Sequence, residues 1–259
     1  MTILQQFNET LGRYVRPQSF PVVVRMCSSS EELPERVQFP KRDLGFLMPI
    51  CQAVGMARRY GLTMAVGLED MNCPLGAFTL GFVPAKKRYL AGEFIIPPIS
   101  KESLARFIQG LSRLENGKYK YALLAPIHRA NFEPHLIIMY GFPAQIALLA
   151  QAAVFMSGKS LHTTPSLGAV CSPLFAATML SDECQVAIPC AGDRIFGSTQ
   201  DHEIAFTAPK GKLEEIMQGL EGCHKTGVYR YPTLTNLRFQ GEFPEAYQKA
   251  MEYLTQESK

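Results

Sequence analysis

Apolar positions along the chain fall into two kinds of run. Some are short, continuous and rich in β-branched residues, and others recur every three or four residues as on a helix face. Ile3, Leu4, Phe7, Leu11, Tyr14 and Val15 take the second pattern, predicting an opening helix over 3–15 that packs as an arm. Phe20 to Met26 takes the first and predicts a buried strand, followed by a polar, proline-containing loop through Pro40. A helix then begins near Pro49, where a missing N–H is harmless, and stops at Gly61, which suits a left-handed cap. Tyr121 to Pro126 and His135 to Tyr140 predict further strands, and Pro143 opens a helix that Gly158 closes. Val228 to Arg238 predicts a late strand, and residues 244–256 predict a polar terminal helix.

The order of these elements repeats. Glu93 through Leu111 and Glu203 through Leu220 each run from strand through proline to amphipathic helix. Leu104, Phe107, Ile108 and Leu111 match Leu213, Ile216, Met217 and Leu220, and Gln-Gly-Leu recurs at 109–111 and 218–220. Cys73-Pro74 and Cys171-Ser172-Pro173 both precede short apolar helices. The expected fold is therefore α/β (α+β), with internally duplicated strand–helix units, repeats over 20–116 and 133–224, and mixed sheets. No Gly/Ser tract separates the halves, so one joined domain over 1–259 is expected.

Composition narrows the function classes. With 47% hydrophobic and 19% charged residues the chain has a globular balance. A net charge of +3 is too small for the dense basic face that nucleic acid requires, and Lys86-Lys87-Arg88 reads as a solvated turn. The apolar stretches Ile146 to Met156 and Gly168 to Leu180 are shorter than the roughly 20 residues a membrane helix needs, so no membrane partner is expected. The start lacks a basic segment followed by an apolar one, which predicts a cytoplasmic protein. Seven cysteines, an odd number without an export signal, then point to reduced thiols or metal ligands and away from a disulfide framework.

Cys51, Cys73 and Cys171 fall at predicted helix starts, where unpaired N–H groups and the helix dipole favour a thiolate. Cys190 falls in the turn-like run Pro189-Cys190-Ala191-Gly192-Asp193-Arg194, where Gly192 permits close approach and Arg194 can stabilise an anion. Four thiolates from separate segments can bind zinc or an iron–sulfur cluster if they converge in space. No Cys-x-x-Cys pair is present, and buried cysteine is commonly a small apolar filler, so packing is the competing reading. Cys27, Cys184 and Cys223 lack a helix-start context and read as packing or surface residues.

The nucleotide-binding, zinc-protease and hydrolase motifs are missing. His202-Glu203 reads as an exposed polar turn, Arg58-Arg59 as a helix end, and His128, His135 and His162 as packing residues. His224 suits the end of a helix.

The chain resembles the domain of unknown function 169 family, the uncharacterised ArCR group. The resemblance is carried by residues 189–194, by Thr199 to Phe206 with Pro209 and Lys212 to Ile216, and by Cys51 to Val54 and Cys73 to Gly76. Glu133 to Ile138, Pro143-Ala144-Gln145 and Gly168 to Cys171 extend it over most of the chain. It implies that Cys51, Cys73, Cys171 and Cys190 stand at characteristic family positions. His135 departs from the family's expected aspartate. The expected function is cluster or metal binding through these cysteines for a redox or cofactor-handling role, with a small-molecule ligand or redox partner. Two alternatives stay open: a non-catalytic module that holds a small anion at Gly192, Asp193 and Arg194, and a cysteine-dependent enzyme.

Overall fold

Three apolar runs, Val22-Val23-Val24, Leu123-Leu124-Ala125 and Leu136-Ile137-Ile138, are buried at every position, so the strands that carry them are covered on both faces. The computed structural model describes all residues except 94–99, 162, 164, 166, 228, 234–242 and 256–259. Its strands are β1 (Val22–Cys27), β2 (Met64–Gly67), β3 (Tyr121–Pro126), β4 (Leu136–Gly141), β5 (Gln185–Ala187) and β6 (Ile204–Pro209). They form one sheet in the order β2-β3-β1-β4-β6-β5.

Each ladder among the described residues is antiparallel. The parallel pairings are isolated bridges, Gln38 with Met64 and Thr163 with Val186. This corrects the expectation of mixed sheets. The link 127–135 carries the chain from β3 to β4 across β1, so an antiparallel strand separates two strands that run the same way.

The helices are α1 (Ile3–Tyr14), α2 (Ile50–Tyr60), α3 (Pro74–Thr79), α4 (Lys87–Leu90), α5 (Lys101–Gln109), α6 (Pro143–Val154), α7 (Thr178–Ser181), α8 (Ala191–Phe196), α9 (Leu213–Thr226) and α10 (Glu245–Thr255). Side chains alternate across the strands and divide the core in two. Val22, Val24, Met26, Leu136, Ile138 and Tyr140 face α2, α3, α5 and the segment from Cys171 to Ala176. Val23, Ile137, Met139 and Phe206 face α1, α6 and α9. Among the described residues no helix is long and apolar enough to cross a membrane.

The sequence-predicted boundaries hold closely for α1 and α2, and α6 starts at Pro143 as expected but ends at Val154, ahead of the expected stop at Gly158. Thr2 caps α1 with its side chain, and Gly61 closes α2 in the left-handed region at φ 73°. Pro49 is the residue before α2, one position earlier than expected. The helices that echo one another do not occupy equivalent places. Leu104 and Ile108 of α5 enter one core, whereas Leu213, Ile216 and Leu220 of α9 enter the other. Residues 94–99, the strand expected before α5, and most of the strand expected over 228–238 lie outside the described residues, as does His162.

The two faces are built differently. On the α1/α6/α9 face, a Cβ on Gly219 would stand 2.0 Å from the Ala152 carbonyl oxygen, so the missing side chain lets α9 lie directly on α6. Gly110, its counterpart in the Gln-Gly-Leu echo, meets only the carbonyls of its own helix. On the other face the covering elements are short. They include two single π-turns, Pro40–Leu44 and Ser172–Ala177, a geometry that concentrates at functional sites.

Candidate functional site

All four singled-out cysteines lie at helix starts on the short-helix face. Cys51 is in the first turn of α2, Cys73 precedes α3, and Cys171 precedes the π-turn 172–177. Cys190, expected in a turn, precedes the short helix α8. Cysteines 27, 184 and 223 are buried as packing residues. All seven thiols are free.

The link between Cys51 and the Cys190 segment is a close backbone contact. Cys51, Gly55 and Arg58 share one side of α2 at helical spacing. A Cβ on Gly55 would stand 2.5 Å from the Gly197 carbonyl oxygen, and one on Gly197 would stand 2.9 Å from that of Cys51. The absence of both side chains lets the α8 segment settle on α2. The Cys51 thiol then donates to the Gly192 carbonyl at 3.6 Å.

The other two cysteines complete the group. Cys51 is within electrostatic reach of Cys171, Cys190 and Cys73, and Cys171 is within reach of Cys73 and Cys190. The Tyr89 hydroxyl senses Cys73 and Cys171, and burial pushes it up to about 12. Thiols from four separate segments thus lie within electrostatic reach, Cys51 and Cys171 each sensing the other three. Among the described residues, no three His, Cys, Asp or Glu side chains are close enough together to hold a single metal ion.

The expected lowering of thiol pKa by helix ends does not hold at two of the four. Burial, then Asp193 and the neighbouring thiols, raise Cys51 well above its ordinary value. Burial and Cys73 push Cys171 up to about 12, with the Thr79 hydroxyl opposing through a hydrogen bond. Desolvation of the charged form outweighs the dipole of a short helix. At neutral pH both are thiols, which weakens the reading of either as an activated nucleophile.

Behind Cys51 lies a polar network that the sequence reading missed. Arg58, only 1% exposed, donates through Nη1 and Nη2 to the Glu203 carboxylate at 2.8 and 3.0 Å. Arg59 donates to the same carboxylate at 2.9 Å, and the Arg58 guanidinium lies 4.2 Å from the centre of the Tyr140 ring. Arg58 also reaches the Thr199 hydroxyl, which donates to Asp193 at 3.0 Å, while the Tyr140 hydroxyl donates to Asp193 at 3.2 Å. Burial raises the Asp193 carboxyl to about 6 against these donors. Glu203 was expected in an exposed turn and is buried instead. The one sequence signal was Arg58 itself, four residues after Val54 and eight after Ile50, a charge on the apolar stripe of α2.

The residues expected to bind an anion are engaged internally. Gly192 accepts from Cys51, Asp193 is buried in the network, and Arg194 donates to the Gln200 carbonyl at 2.8 Å and lies 3.5 Å from Asp201. His202 stacks on Phe142 at 4.8 Å. His135 accepts the Met26 N–H at 3.0 Å, a structural role.

A cavity of about 460 Å³ opens beside the cluster, with Cys73, Met71, Phe78, Val83 and Tyr89 in its wall and Lys86 as its cation. A larger cleft of about 790 Å³ lies over the β2 and β3 edge and carries none of the cysteines.

Residues 10–219 match the family described as Uncharacterised ArCR, domain of unknown function 169. The chain belongs to this family. All four clustered cysteines and the Arg58 network fall inside the matched span. An uncharacterised protein of Methanocaldococcus jannaschii is 22% identical over 205 residues, covering 77% of this chain and 86% of the relative. No solved structure matches the chain.

Proposed function

We propose that Cys51, Cys73, Cys171 and Cys190 together hold an iron–sulfur cluster or another thiophilic metal such as zinc, for a redox or cofactor-handling role. The observation that carries this reading is the convergence of four thiols from four separate segments within electrostatic reach of one another. Sulfur ligands select zinc and iron–sulfur centres over hard cations. Crowded thiols favour a positive centre, because a bound metal replaces their protons and offsets the mutual repulsion of thiolates.

Spacing separates the two centres. Four ligands on one zinc ion must all approach it to about 2.3 Å, whereas thiolates on different irons of a cluster stand further apart. The cavity beside Cys73 gives a small molecule access to that side of the cluster.

The test is anaerobic purification of the full chain, followed by iron, sulfide and zinc analysis and visible spectroscopy. Wild-type protein is expected to be coloured, with iron and acid-labile sulfide present together. A Cys51→Ser, Cys171→Ser double variant is expected to lose the absorption and most of the metal, while Cys223→Ser keeps both. Colourless, metal-free wild-type protein overturns the proposal, and so does undiminished metal in the double variant.

A further inference from the structure

A second cleft, of about 660 Å³, lies where the end of α1 meets the end of α2, away from the cavity beside Cys73. That volume is in the range of small-molecule sites. Arg16, Arg58, Arg59 and His128 line it, and no Asp or Glu is among its described lining residues. Glu203 pairs with both Arg58 and Arg59, Asp193 lies within electrostatic reach of Arg58, and Arg16 adds a third cation against these two carboxylates. Positive charge is therefore in excess in a concave, partly apolar place, where an anion is drawn in and held.

Two details of the backbone and core set the shape and charge of the cleft. Arg16 has φ 55°, the left-handed region, where an L side chain costs free energy and glycine does not. The end of α1 and the buried Gln145 amide hold it there: the Arg16 N–H closes the helix on the Leu11 carbonyl at 2.8 Å, and Gln145 donates to the Val15 and Arg16 carbonyls at 2.9 and 2.8 Å. A position suited to glycine instead carries a cation that lines the cleft. In the same cleft, Arg58 donates from Nη1 to the Ser19 hydroxyl at 3.2 Å, while its buried Nε has no hydrogen-bond partner. An unpaired buried donor on a guanidinium is costly. Phe20 and His128, with ring centres 4.5 Å apart, supply a flat wall for the rest of a ligand.

We propose that this cleft binds a small metabolite through a phosphate or carboxylate group, with Arg16 and Arg59 as its principal contacts. The bound oxyanion compensates the excess of guanidinium charge. The site is independent of metal at the thiols.

Isothermal titration of the full chain at low ionic strength, with inorganic phosphate and separately with citrate, tests it. Wild-type protein is expected to bind at least one of them saturably, with the tighter of the two assigning phosphate or carboxylate as the recognised group. Arg16→Gly relieves the left-handed strain, so it is expected to unfold at the same or a higher temperature than wild type while binding at least tenfold more weakly. Arg194→Ala is expected to bind as wild type does. The proposal fails if neither anion binds saturably, if Arg16→Gly binds undiminished, or if Arg194→Ala abolishes binding.

Discussion

The two faces of the sheet solve the same burial problem in opposite ways. On one, α1, α6 and α9 are regular helices of three or more turns whose buried residues are apolar apart from Gln145, and Gly219 lets two of them touch backbone to backbone. On the other, α2, shorter helices and π-turns converge, and among them lie four thiols, a buried arginine and the buried carboxylates of Asp70, Asp193 and Glu203. Hydrophobic burial alone explains the first face. The second bears costs that burial does not explain: thiols crowded together, a desolvated Asp193 and an ion pair out of water. Local departures from good packing mark functional sites, and these three fall on one side of the sheet.

The contrast breaks most sharply at Arg58. Removing Arg58 leaves Glu203 with Arg59 and the Gln200 N–H as its remaining partners, so Arg58→Ala is expected to destabilise the protein by about 3 kcal/mol, the lower end of the cost of breaking a buried pair, measured by urea denaturation. A loss under about 1 kcal/mol would mean that water reaches Glu203 and that the short-helix face is looser than its geometry.

A smaller effect sharpens the comparison, because one substitution can be made on both faces. Cys223 is fully buried among apolar residues of α9, and a hydroxyl there lacks an apolar match. Cys223→Ser is expected to cost about 1–3 kcal/mol. Cys73 lies half-buried in the wall of an open cavity, so Cys73→Ser is expected to stay within about 0.5 kcal/mol of wild type. Both are measured by chemical denaturation on chelator-treated protein, so that metal does not enter the difference. Equal costs would remove the distinction between a packing cysteine and a site cysteine.

How much of this was legible in sequence follows the same division. The long-helix face was nearly readable, since its helices carry their own signals: the apolar spacing of Leu4, Phe7 and Leu11, and the proline at 143. β1, β3, β4 and β6 were legible as runs and the short β2 and β5 were not, and the strand order was not legible because pairing β1 with β3 and β4 depends on contacts distant in sequence. The echo between α5 and α9 misled for a physical reason. Amphipathic spacing fixes that a helix buries one side and says nothing about which face of the sheet receives it. On the short-helix face the cysteines were visible through their helix-start positions, while their convergence was not. Glu203 was misread because a carboxylate in a polar run looks solvated until its partner, Arg58, is known to be buried.

That ion pair also sets the smallest effect, a dependence of stability on acid. Burial alone would raise the Glu203 carboxyl, but the Arg58 hydrogen bonds, the Gln200 N–H and the two guanidinium charges outweigh it and hold the group below its ordinary value. A carboxyl lowered in the folded state contributes stability that is fully present above its unfolded value of about 4.3 and is lost as pH falls through the lower folded value. Wild-type protein should therefore lose stability on acidification below about pH 4. Glu203→Gln, less stable throughout, should show a shallower acid limb because its amide does not titrate. Thermal unfolding of both proteins across the acid range reads the difference in slope. Parallel curves would mean that the pair contributes through packing and hydrogen bonds common to both side chains, and that charge is not what distinguishes this face from its opposite.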